Sequence, residues 1–180
     1  NEAGAKVVGA IRHPLGTSDF SSFLLQAQSS KAKVIALANA GGDTINALKQ
    51  AGEFAITAQG QSVVPMLIFI TDIQALGLSA AQGLKFATSF YWDRTPETRT
   101  WSERFMKLNR GRAPSMAQAG VYSLTTHFLK AIAARGTDAG AATVAKMKEI
   151  QVNDALWSNV TIREDGRSMN DMYPVEVKKP

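Results

Sequence analysis

Two carboxylates sit where this sequence can meet a small ligand. Asp43 follows Gly41 and Gly42, just after the apolar run Lys33-Val34-Ile35-Ala36-Leu37-Ala38. Glycines there let the backbone approach a ligand closely, and Asp43-Thr44 opens a helix whose N–H groups can meet an anionic or amide group. The competing role is purely local: the glycines make a turn, and Asp43 caps the helix. Asp72 stands at the end of a second apolar run, Val63 to Ile70, in the sequence Phe69-Ile70-Thr71-Asp72. A carboxylate in that position can neutralise a ligand ammonium in a poorly hydrated cleft, a charge-assisted hydrogen bond of roughly 1.5–3 kcal/mol. Here too a helix cap competes.

Other chemistries find little support. His13 precedes Pro14 in a turn and His127 lies on a predicted helix, without metal-ligand spacing, so no metal site is expected. The nucleophile elbow, the P-loop and the dinucleotide fingerprint are missing. Glu164 and Asp165 are adjacent, so they point to opposite faces and cannot share a substrate atom. Cysteine is absent, which excludes disulfides, thiolate zinc sites and a cysteine nucleophile. No catalytic residue and no cofactor are therefore expected. The net charge of +5 raises nucleic acid as a partner, but Arg94, Arg99, Arg104, Lys107, Arg110 and Arg112 alternate with Asp93, Glu97 and Glu103. That pattern reads as a solvated helix face, and no nucleic acid is expected. No apolar run reaches the eighteen or so residues of a membrane span.

The elements that must position these residues follow from periodicity. Lys6 to Ile11 reads as a strand stopped by His13-Pro14, and a helix follows, capped by Thr17 or Ser18, with Phe20, Phe23, Leu24 and Ala27 on one stripe. Lys33 to Ala38 reads as a strand buried on both faces. A helix begins near Asp43, with Ile45 and Leu48 inward. Val63 to Ile70 forms the third strand with Pro65 at its entry, and Leu84 to Tyr91 the fourth, after a short helical segment near Ile73 to Leu78. Strands alternating with helices predict an α/β lobe with a doubly wound parallel sheet. Helices are then predicted over 96–108, 117–134 and 139–150. Asn159 to Arg163 and Met172 to Val177 are predicted to pair antiparallel across Glu164-Asp165-Gly166-Arg167. No basic region, apolar segment or cleavage site follows Asn1, so any export signal is expected to lie outside this sequence, and the helical middle implies a second lobe only partly present.

Four stretches resemble the leucine/isoleucine/valine-binding type of periplasmic solute-binding protein: Gly9 to Ala27, Ala38 to Thr44, Ser89 to Asp93, and Ile162 to Arg167 with Asp171-Met172-Tyr173. The resemblance implies two α/β lobes with the ligand between them. It assigns 1–91 to the second-lobe core, 92–150 to first-lobe helices and 151–180 to strands returning to the second lobe. It places Gly42, Asp43, Thr44, Phe69, Thr71 and Asp72 at the ligand, Asp72 in the place of an acidic residue that receives the α-amino group. Met116, Gln118 and Tyr122 fall on a helix that resembles a cleft-lining element, although a Met or Tyr at helical spacing is more often core. It also implies a periplasmic protein whose partners are a small-molecule ligand and the membrane permease of an ABC importer. The rivals are an intracellular amide or amino-acid sensor of the same fold, and a doubly wound enzyme using Asp43 or Asp72 as a base. An uncovered apolar interlobe face would favour self-association.

Overall fold

A computed structural model describes residues 4–178, which divide into two compact units. Of these, residues 4–87 and 174–178 form the first and residues 88–173 the second.

In the first unit, helix α1 (Ser21–Ser29) buries Phe20 and Leu24, with Phe23 and Ala27 packed beside them. Neither Thr17 nor Ser18 caps it. The Thr17 hydroxyl donates to the Pro14 carbonyl, and the Asp19 carboxylate accepts the Ser21 N–H at 2.9 Å instead. Hydrogen bonds from the Ser21 side chain and backbone hold the Asp19 carboxyl below its ordinary value. Strand β1 (Val34–Leu37) and strand β2 (Ser62–Pro65) run parallel, in register from Val34 opposite Ser62 to Leu37 opposite Pro65. Helix α2 (Gly41–Glu53) forms the crossover, burying Thr44, Ala47, Leu48 and Ala51. After α2, a 3-10 turn (Thr57–Gln59) ends at Gly60 in the left-handed region, φ 91°. Helices α3 (Ile70–Leu76) and α4 (Leu78–Ala81) precede strand β3 (Lys85–Thr88). Strand β4 (Tyr173–Glu176) pairs with β3 in a separate two-stranded sheet.

Several expectations are corrected. Lys6 to Ile11 pairs with no strand among the described residues and leaves Val7 and Val8 exposed, since an extended segment without ladder bonds is not a strand. β1 is covered on one face only: Ile35 and Leu37 are buried, whereas Val34 and Ala36 are exposed. Pro65 ends β2 rather than entering it, because proline has no N–H to continue the ladder, and the next bond is the Met66 N–H to the Leu37 carbonyl at 2.9 Å. Residues 66–69 are irregular, so the strand is half its expected length.

The second unit is mostly helical. Helix α5 (Pro96–Leu108) starts on a reciprocal cap: the Thr98 N–H donates to Thr95 Oγ1 and the Thr95 N–H to Thr98 Oγ1, with Pro96 at the first helical position. Helix α6 (Met116–Arg135) ends at Gly136, φ 71°, and packs on helix α7 (Gly140–Glu149). Buried His127 of α6 bonds the Met147 carbonyl of α7 at 3.0 Å. The core joins Phe90, Trp101 and Ala119 to Val152, Leu156, Trp157, Val160 and Ile162. Residues 151–173 thus group with the helical unit, and of the described residues beyond them 174–178 group with the N-terminal one. The Asp-Gly turn forms, with Arg163 and Arg167 bonded across it, but the partner of Ile162 is Ser168, not the run from Met172. That later run supplies β4, which finds β3.

Candidate functional site

Because Leu37 lies opposite Pro65 in a parallel pair, the carboxyl ends of β1 and β2 are side by side. Parallel neighbours stand about 4.8 Å apart, so the loops 38–40 and 66–69 leave the sheet together. Each leads into a helix with an acidic residue in its first turn: Asp43 in α2 and Asp72 in α3.

At α2 the N-cap position is Ala40, which is extended and offers no side-chain cap. Gly41 follows at φ 57°, a left-handed conformation that costs an L side chain about 1–2 kcal/mol. Gly41 and Gly42 are exposed, so the unpaired N–H groups of this helix terminus reach the surface. Asp43 does not cap its own helix: it is 8% exposed, and its Oδ2 accepts the Gly16 N–H at 3.1 Å, tying in a segment 27 residues away. Thr44 is fully buried, and its hydroxyl donates to Asn39 Oδ1 at 2.9 Å. As placed here, it shapes the loop rather than reaching out from it.

At α3, Asp72 Oδ2 accepts the Phe69 N–H at 2.9 Å, so the local capping role is filled. The residue is nevertheless half-buried rather than enclosed, as are Phe69 and Thr71. Replacing Asp72 with alanine is expected to cost about 1 kcal/mol through loss of the cap, with asparagine retaining most of it; urea unfolding checks this.

Met116 and Gln118 lie in the second unit, on the first turn of α6. Met116 Sδ accepts from the Ser89 N–H at 3.4 Å and its side chain packs on the core, while Gln118 Oε1 accepts the Ser115 N–H at 2.7 Å as a cap. Tyr122 lies 5.1 Å from the Trp101 ring. The structure thus brings six of the eight predicted residues to two neighbouring loops and gives the other two structural roles in α6.

Sequence reasoning gave no site role to Asn39, which lies in the α2 loop, nor to His13 and Gly16, which bond Asn39 and Asp43 from 26 and 27 residues away. It also missed a cavity of about 550 Å³ in the second unit, lined by Arg94, Glu97, Trp157, Asp171 and Tyr173 among others. The Arg94 guanidinium stands 5.0 Å from the centre of the Tyr173 ring there.

Adjacent loops beyond the carboxyl ends of parallel strands, each opening a helix, define an α/β small-molecule-binding fold. The family model described as periplasmic binding protein matches residues 1–180, and the chain belongs to that family. A periplasmic binding protein from Burkholderia mallei is 47% identical, with a TM-score of 0.93 over 99% of this chain and 47% of its own. A branched-chain amino acid ABC transporter periplasmic ligand-binding protein from Burkholderia xenovorans is 40% identical, with a TM-score of 0.81 over 99% of this chain and 48% of its own. A solute-binding protein of an ABC transporter from R. palustris, in complex with 4-hydroxybenzoate, shares the fold at 23% identity and a TM-score of 0.79, over 99% of this chain and 50% of its own. The chain therefore spans about half the length of these solved relatives. Among curated proteins no match was found.

Proposed function

We propose that this chain is part of the extracytoplasmic ligand-binding component of an ABC importer for amino acids or aromatic carboxylic acids. The observation that carries the reading is the pair of loops beyond β1 and β2, in a chain 40% identical to a branched-chain amino acid transporter's ligand-binding protein. The exposed N–H groups of Gly41 and Gly42, at the positive end of the α2 dipole, suit a ligand carboxylate or amide. Asp72, half-buried with one oxygen on Phe69, suits an ammonium. In this reading the first unit contributes second-lobe contacts through the two loops beyond β1 and β2. Ligand favours a closed arrangement by its differential contacts there, the closed form is what the membrane permease engages, and no bond is made or broken.

The test is thermal unfolding of the protein, purified at the length its gene encodes, against a panel of amino acids, amides and aromatic acids. One class at a hundred times its dissociation constant is expected to stabilise it by about 2.7 kcal/mol. No response to any class would contradict the proposal. Within the panel, Asp72→Asn is expected to weaken amino acids roughly tenfold and to leave benzoate unchanged, because benzoate has no ammonium to meet.

A further inference from the structure

The receptor reading gives His13 and Asn39 no task, yet the two are bonded to each other across 26 positions of sequence. His13 Nδ1 lies 2.8 Å from the Pro14 carbonyl oxygen, which also accepts the Thr17 hydroxyl at 2.6 Å. A carbonyl only accepts, so Nδ1 carries the ring proton. In the neutral ring Nε2 is then a lone pair, and it accepts from Asn39 Nδ2 at 3.3 Å. That orients the Asn39 amide with Oδ1 toward Thr44, whose buried hydroxyl donates to it at 2.9 Å. The imidazole is held edge-on to Phe20, centroids 4.8 Å apart, and Phe20 is itself part of the core.

We infer that His13 and Asn39 are positioning residues for the ligand loop. The relay from the Pro14 carbonyl through His13 and Asn39 to Thr44 sets the backbone of residues 39–42, and with it the direction of the Gly41 and Gly42 N–H groups. The loop needs such a restraint. Ala40 is extended, Gly41 is left-handed, and no side chain caps α2, so the relay and the Asp43 tie to Gly16 are the side-chain bonds that hold this terminus among the described residues. The ligand half of the inference rests on the receptor reading, whereas the relay does not.

The two halves separate in one experiment on the protein at its natural length. Thr44→Val keeps the shape of the buried side chain and removes the hydroxyl; Thr44→Ser keeps the hydroxyl and removes a methyl. Amide resonances of Gly41 and Gly42, the ring nitrogens of His13, and the affinities for L-leucine and benzoate as probes are measured for both variants and for Asn39→Ala. A relay predicts a proton on His13 Nδ1 and unchanged glycine resonances in Thr44→Ser. It predicts displaced resonances in Thr44→Val and Asn39→Ala, with the bound probe weakened roughly five- to tenfold. The reverse order, serine disturbed and valine intact, means packing alone and overturns the relay, as does a ring protonated only on Nε2. If neither probe binds but valine moves the glycines and serine does not, the relay stands and the receptor reading fails for these ligands. If a probe binds and no variant changes resonances or affinity, the relay is overturned and the receptor reading stands.

Discussion

Replacing Trp101 with alanine is expected to destabilise the second unit by about 3–5 kcal/mol, the range for a large buried aromatic. Trp101 is 5% exposed and stands at the centre of an aromatic group. Its ring meets Phe90 edge-on at 5.8 Å, stacks on Phe105 at 5.6 Å and tilts against Tyr122 at 5.1 Å. Truncation therefore removes apolar burial and three ring contacts together, and leaves a cavity beside Phe90, which also contacts Trp157 at 6.1 Å. Urea unfolding followed through the fluorescence of the remaining Trp92 and Trp157 should show the midpoint falling with little change in slope. A loss below 1 kcal/mol would mean that Trp101 is not the centre of that core.

The second large effect is expected at Asp154, where alanine should cost about 3 kcal/mol. Its Oδ1 accepts the N–H groups of Leu156 at 2.8 Å and Trp157 at 3.0 Å, and its Oδ2 accepts the Ser123 hydroxyl of α6. One carboxylate thus shapes the turn that delivers Leu156 and Trp157 to the core and ties that turn to a helix 31 residues earlier. Alanine leaves three donors without this acceptor; a bond to a charged acceptor contributes roughly 1.5–3 kcal/mol net, and at this half-buried turn water replaces part of the three, which holds the total near about 3 kcal/mol. Asparagine keeps an acceptor for the two N–H groups, and the Ser123 hydroxyl can accept from its amide, so Asp154→Asn should lose about half as much. The same unfolding curves decide it: equal losses for alanine and asparagine would show that the charge, rather than the geometry, dominates.

What could be read from the sequence depended on how local the determinants were. Helices predicted over 96–108, 117–134 and 139–150 form within one or two residues of those limits, since Thr95-Pro96, Ser115 and Gly136 cap or stop them from adjacent positions. The strands fared worse because pairing is non-local. Nothing in Lys6 to Ile11 says that it pairs with no strand among the described residues, and nothing in Met172 to Val177 says that it prefers β3 to the hairpin beside it. The site divides the same way. Asp43, Asp72 and the glycines stand out through local pattern, whereas Gly16 on Asp43 and His13 on Asn39 are bonds over 27 and 26 residues that only folding reveals. Pattern alone could not choose between cap and ligand contact. Asp72 does cap its helix, and Asp43 takes up a third role as a tether.

The central claim is that the loops beyond β1 and β2 meet the ligand. Backbone amide resonances should be followed while the ligand class found by thermal unfolding is titrated into the protein. The largest movements are expected at Gly41, Gly42, Asp43, Thr71 and Asp72. Movements confined to the cavity lined by Arg94, Asp171 and Tyr173, with the two loops silent, would contradict the account.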